Sequence, residues 1–212
     1  MARKWIGYIG VGSLMCAVLG CGILYTRQAR LQQAISDKVL RFHVLANSDS
    51  EADQNLKLAV RDAVGSYMQE KLADVENLEE CELVVRQSLG EIEEAAAETI
   101  AENGYDYDVT AELEHTSFPV KNYGSYTFPA GDYEALRIVI GEGNGHNWWC
   151  VMYPNMCFSD SMYEVVDEEA GEKLRKVLTT EEYEKVLAEG DYQVRMKYFS
   201  WLNPYLERLA EN

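Results

Sequence analysis

The chain has 212 residues, with 36 acidic side chains against 19 Lys plus Arg and a formal net charge of -17. That balance excludes a nucleic-acid partner, because phosphate contact needs a basic face. With 47% apolar and 11% aromatic residues the chain has the material for a core, which excludes disorder, and five Cys are too few for a disulfide scaffold. The acid is unevenly spread. Residues 1–48 are net basic, residues 49–114 hold 19 acids against four bases, and the remainder is mildly acidic.

Arg3 and Lys4 precede a charge-free stretch over residues 5–26, the pattern of an export signal and long enough for a bilayer, which takes about 20 residues. An uncleaved anchor, a cleaved signal peptide and a lipoprotein signal are all compatible with it. Val18-Leu19-Gly20-Cys21 has the form of a loose lipobox, with Cys21 as the residue that would carry the lipid. The expected organisation is a signal or anchor over residues 1–26, a basic juxtamembrane linker over 27–37 and an extracytoplasmic domain over 38–212.

Within that domain, residues 38–46 read as a strand, and Asn47-Ser48-Asp49-Ser50 as a turn into a helix whose capping box is Ser50 with Asp53. Leu56, Val60, Val64, Tyr67, Met68, Leu72 and Val75 form its apolar stripe. A second helix starts near Asn77, with Leu78, Cys81, Val85, Leu89, Ile92, Ala96 and Ile100 as its stripe and Asn103-Gly104 as its stop. Most of the acid lies on the solvated faces of these helices.

Residues 105–114 alternate like a half-buried antiparallel strand. Residues 118–131 form a long Tyr-rich connection. Residues 133–140 read as a central strand, Gly141-Glu142-Gly143-Asn144-Gly145 as a glycine-rich hairpin turn, and residues 148–153 as the returning strand. Residues 167–190 read as helix with a Thr179/Glu182 capping box, 192–199 as a last strand, and Asn203-Pro204 as the start of a short helix. The expected fold is α+β: one domain with a mostly antiparallel sheet and packed helices.

Export permits disulfides. Cys81 sits on a helix stripe, which leaves Cys150 and Cys157 as the natural pair. The glycine loop precedes a strand rather than a helix, which disfavours a phosphate cradle. Asp49, Glu51 and Asp53 lack the Gly and Glu that a calcium loop requires. No cofactor or metal is expected. An enzyme reading uses His43 and His146 with an acid, as a metal site or an envelope hydrolase, or pairs Cys150 with His146 as nucleophile and base. His146-Asn147-Trp148-Trp149 is the densest unusual cluster. Adjacent Trp on a strand face opposite ways, so one is available for a contact surface unless a covering loop buries both.

Two long stretches carry a resemblance. The first is Arg41-Phe42-His43-Val44-Leu45-Ala46-Asn47-Ser48-Asp49-Ser50 with Asp53-Gln54, Leu56-Lys57-Leu58 and Val60-Arg61-Asp62-Ala63-Val64. The second runs from Phe118-Pro119-Val120-Lys121 through Phe128-Pro129-Ala130-Gly131 and Tyr133-Glu134-Ala135-Leu136-Arg137 to Gly145-His146-Asn147-Trp148-Trp149-Cys150-Val151. Together they resemble the stage II sporulation protein R family of endospore-forming bacteria. The resemblance implies a signalling protein, made in the forespore and exported into the space between the two membranes. There it would activate a membrane-embedded aspartic protease of the mother cell, which cleaves a sigma-factor precursor. The family offers no catalytic residues to carry over. The matched positions His43, Asn47, Ser48, Asp49, Arg137, His146, Asn147, Trp148 and Trp149 are the expected partner contacts.

Overall fold

The computed structural model describes residues 2–154, 156 and 168–187; side chains within 2–14, 16–18 and 168–170 lie outside the description. So do Cys157 and the expected strand and helix beyond residue 190.

Helix α1 (Ala2–Ser36) runs unbroken into the domain. Strand β1 (Leu40–Leu45) follows, then α2 (Glu51–Lys71), α3 (Leu78–Gln87) and α4 (Leu89–Glu102). Ser50 caps α2 as expected, its Oγ accepting from the Asp53 N–H at 3.1 Å. Asn77 Oδ1 caps α3 by accepting from the Glu80 N–H at 2.9 Å. The single helix expected over 77–103 is broken at Ser88, just ahead of Gly90, a poor helix former. The apolar stripe survives the break, because Cys81, Val85, Ile92, Ala96 and Ile100 are all buried. Gly104, with φ of 84°, ends α4, and the Tyr105 N–H bonds back to the Ile100 carbonyl. Burial pushes the Cys81 thiol up to about 12, as expected of a core cysteine.

Strand β2 (Val109–Phe118) starts later and runs further than the alternation suggested. Tyr105 and Tyr107 stack on each other just before it, with centroids 5.5 Å apart. The Tyr-rich connection holds a small hairpin, β3 (Lys121–Tyr123) and β4 (Tyr126–Phe128), turned by Gly124. Then come β5 (Gly131–Ile140), β6 (Asn147–Tyr153), α5 (Glu168–Val177) and α6 (Thr180–Leu187). The expected Thr179/Glu182 capping box starts α6, with the Thr179 N–H 2.7 Å from Glu182 Oε2.

The main sheet has the order β2-β5-β1-β6, with β5 central as expected. The sheet is mixed rather than mostly antiparallel, since β1 and β5 run parallel while β1–β6 and β2–β5 run antiparallel. A parallel pair needs both faces covered, and this sheet has two covers. Phe42, Val44, Leu136, Ile138, Cys150 and Met152 pack under α2, α3 and α4. Ala135, Tyr133, Val151 and Phe118 on the other face pack with Ile35 of α1, Phe128 of β4, and Leu174, Tyr183 and Val186 of α5 and α6.

The order also corrects the hairpin. Strands β5 and β6 are not neighbours, because β1 lies between them. The glycine loop is a crossover that passes over the C-terminal end of β1.

Among the described residues no helix is long and apolar enough to cross a membrane. The apolar stretch over residues 5–26 falls largely on side chains outside the description. The last turns of α1 belong to the core: Ile35 is fully buried and Leu31 packs beside it. Arg27 pairs with Glu181 and Lys38 with Glu182, both at 2.6 Å.

Candidate interaction site

The two resembling stretches meet at the end of β1. The Gly145 N–H donates to the Ala46 carbonyl (2.9 Å) and the Asn144 N–H to the Asn47 carbonyl (3.1 Å). Asn47 Oδ1 accepts from the Glu142 N–H at 3.0 Å. Asp49 Oδ1 accepts from the His146 N–H at 2.6 Å and meets the His146 ring Nδ1 at 2.5 Å. Lys57 Nζ reaches across from α2 to the His146 carbonyl at 3.0 Å. Asn47, Asp49 and His146, expected as partner contacts, thus hold one loop to another, and Ser48, also expected as one, braces its own turn. The loops are too irregular to pair as strands, so side chains satisfy their backbone groups.

Asp53 is the hub of this clamp. Its buried carboxylate accepts from Ser48 Oγ (2.5 Å), Asn47 Nδ2 (3.0 Å) and the Tyr107 hydroxyl (3.2 Å). Those bonds, chiefly from Ser48 and Asn47, hold its carboxyl below the usual carboxylate range. A depressed folded value contributes stability that is present above the unfolded value of about 3.9 and is lost as pH falls through the folded one. Asp53→Asn is therefore expected to cost about 1–3 kcal/mol at pH 7. In urea titrations at pH 7 and pH 3 the gap between wild type and variant should narrow with acid; an unchanged gap would contradict this role.

The face of the sheet opposite α2 is covered only in part. Exposure rises in step along its strands toward the clamped end. Arg41 and His43 give way to half-buried Leu45, Tyr133 and Ala135 to half-buried Arg137 and Val139, buried Val151 to half-buried Trp149 and Asn147, and buried Phe118 to exposed Glu112. The registers Arg41↔Ala135, His43↔Arg137, His43↔Trp149 and Leu45↔Asn147 place these side chains on one surface. Four expected contacts, His43, Arg137, Asn147 and Trp149, converge there.

Trp149 stacks on His43, with centroids 5.1 Å apart and planes 11° apart, and its ring lies edge-on to Phe118. Asn147 Nδ2 meets His43 Nδ1 at 3.1 Å. Burial and the Arg137 charge push the imidazole down to about 4, so it is neutral at neutral pH. Arg137 is 32% exposed and bridges Glu114 (3.3 Å) and Glu112 (3.8 Å).

Trp148 points the other way, as adjacent strand residues must. It lies edge-on to Phe42 at 5.5 Å, with the Arg61 guanidinium 5.1 Å from its ring. That makes it part of the helix-side packing rather than a contact surface.

Among the described residues, the groups named for the enzyme reading lie apart. His146 is 80% exposed and engaged by Asp49, whereas His43 is buried and turned to Asn147 and Trp149. Among the described residues no three His, Cys, Asp or Glu side chains are grouped to hold a metal. Cys150 is buried against α2–α4, on the face opposite His43 and four residues along an extended strand from His146. Cys21 is exposed on α1.

Sequence reasoning missed Arg41, Phe118 and Lys121, which border this surface. The available signal was a charge inside an apolar strand: Arg41 is in phase with His43, two residues on.

The family model described as "Stage II sporulation protein R (spore_II_R)" matches residues 36–163. Stage II sporulation protein R of Bacillus subtilis (strain 168) is 40% identical over 158 residues, which cover 74% of this chain and 70% of that protein. No solved structure matches. The family match includes the clamp and the half-open sheet face, and the chain belongs to the stage II sporulation protein R family.

Proposed function

We propose that this chain is an exported signalling protein of sporulation. It acts as a ligand that switches on a membrane-embedded aspartic protease of the mother cell, which then cleaves a sigma-factor precursor. Family membership supports this reading. The single structural observation that carries it is the half-open sheet face, where half-buried Arg137, Asn147 and Trp149, backed by the buried His43, present an aromatic and polar surface.

The chain leaves the forespore through its N-terminal apolar stretch and works between the two membranes, either released or held by that stretch. A disulfide between Cys150 and Cys157 fits an oxidising location of this kind. The ligand acts by binding one conformation of the protease better than the other, which shifts its equilibrium by the difference in affinity. A rigid sheet face suits that task, because it loses little entropy on docking.

Co-production of this chain with the protease and its substrate tests the reading. Substrate cleavage is expected to rise, and Arg137→Ser is expected to reduce it severalfold with the fold intact by circular dichroism. Unchanged cleavage on adding the wild-type chain would sink the proposal.

A further inference from the structure

At the covered end of the same face lies a cluster of two cations and a neutral imidazole, with no acid paired to it among the described residues. Arg41 is fully buried. Its Nε donates to the Cys150 carbonyl at 2.8 Å and its Nη2 to the Tyr123 hydroxyl at 2.9 Å, with the Tyr133 hydroxyl also beside the guanidinium, while Nη1 forms no hydrogen bond of good geometry among the described residues. Phe118, Tyr133, Phe128 and Tyr123 surround the guanidinium, with ring centroids 4.4, 5.0, 5.4 and 5.7 Å away. Among the described residues no ion pair involves Arg41.

His43, 3% exposed, is the second member, and its Nε2 also lacks a partner. Accepting from Asn147 at Nδ1 leaves the ring proton on Nε2, which makes it a free donor. Lys121 is the third. Its Nζ lies 5.6 Å from the Trp149 centroid, and it too forms no ion pair among the described residues. Burial and the Arg41 charge hold its ammonium below the usual lysine range, so it shares the Arg41 field. Phe118 joins the three parts, since its ring lies against Arg41 (4.4 Å), His43 (5.2 Å) and Trp149 (4.6 Å).

Buried charge without a counter-charge is costly, and proteins normally pair it. This chain carries 36 acids, yet among the described residues none is paired with Arg41 or Lys121. We propose that the Arg41–His43–Lys121 cluster is a binding site for a carboxylate, supplied by an acidic side chain of the protein partner and entering past the half-buried Lys121 and Trp149. Arg41 Nη1 and His43 Nε2, whose guanidinium and ring both lie against the Phe118 ring, donate to the carboxylate oxygens, and Lys121 closes over them. A carboxylate suits the site better than a phosphate, because two fixed donors and one flexible ammonium match two oxygens and a single charge. The source of the carboxylate rests on the signalling reading; the affinity of the cluster for one does not.

The test uses the full-length chain in detergent micelles, with blocked glutamate (N-acetyl-glutamate N-methylamide) as probe and blocked glutamine as control. The Arg41 Nε–H, the His43 ring and the Trp149 indole are followed by NMR. Glutamate is expected to move all three saturably and glutamine to leave them unmoved. Lys121→Met should weaken the effect on the order of tenfold, and Arg41→Met should abolish it. Should Arg41→Met fail to fold, Lys121→Met decides. No saturable shift, an equal shift with glutamine, or tighter binding of inorganic phosphate overturns the site. Cleavage of the protease substrate is a separate readout: activation without glutamate binding rejects this site alone, and glutamate binding without activation rejects the signalling role alone.

Discussion

Gly145→Ala is expected to destabilise the protein by on the order of 3 kcal/mol, a large share of the roughly 5–15 kcal/mol available to a domain. A Cβ at this position would press into the Ser48 carbonyl, deep inside contact distance, with the Ala46 Cβ close behind. The Ser48 carbonyl cannot give way easily, because it accepts from Gln54 Nε2 at 3.0 Å and belongs to the turn that caps α2. Moving the glycine loop outward instead breaks the Gly145 N–H bond to Ala46 and pulls His146 off Asp49. A urea midpoint measures the effect. Gly90→Ala is the matched control: it lies in α4 with open space around it and should stabilise by up to about 1 kcal/mol. A Gly145→Ala variant as stable as wild type would mean that the two loops are not clamped.

The adjacent tryptophans should separate stability from signalling. Trp148→Ala removes a ring packed on Phe42 and under Arg61, and is expected to cost about 3 kcal/mol. Its activation per folded molecule should stay near wild type. Trp149→Ala removes an aromatic anchor from the half-open face and is expected to lower activation at least about tenfold, with the smaller stability loss. Protease-substrate cleavage and urea titration on both variants decide it. Full activation by Trp149→Ala would move the contact surface elsewhere.

Local chemistry made several elements legible. Ser50 and Asn77 as caps, Gly104 as a stop and the stripe from Cys81 to Ile100 each depend on neighbours within a turn or two of helix. The partner of a strand is another matter. Alternation or apolarity shows how many faces are covered, not which strand lies alongside or in which direction it runs. The near-continuous apolar run of β5 was readable as central, yet its parallel pairing with β1 depends on a crossover set by distant packing.

The glycine loop misled for the same reason. A hairpin and a crossover need similar turn residues, and only the position of β1 between β5 and β6 distinguishes them. At the site, the resembling stretches meet in the fold, but the sequence could not sort their residues by role. Asn47, Ser48, Asp49 and His146 are fasteners, Trp148 is packing, and Arg137, Asn147 and Trp149 form a surface over the buried His43. Asp53 was readable only as a capping residue, since its bonds to Asn47, Ser48 and Tyr107 depend on the folded turn.

The continuity of α1 from Ala2 to Ser36 has a geometric outcome. Its final turns are locked under β5 by Leu31 and Ile35, so the helix meets the domain without a swivel. Residues 27–36 already lie against the domain, through the Arg27–Glu181 pair and the packed Leu31 and Ile35, so the stalk is short and begins where the apolar stretch ends. With the preceding stretch seated in a bilayer, the domain would stand at one height and one compass bearing, its half-open face always toward the same quarter. Each residue inserted into the stalk would raise that face by about 1.5 Å and turn it by roughly 100°. Insertions of one to four residues would then make signalling rise and fall with the turn of the helix rather than decline smoothly with length.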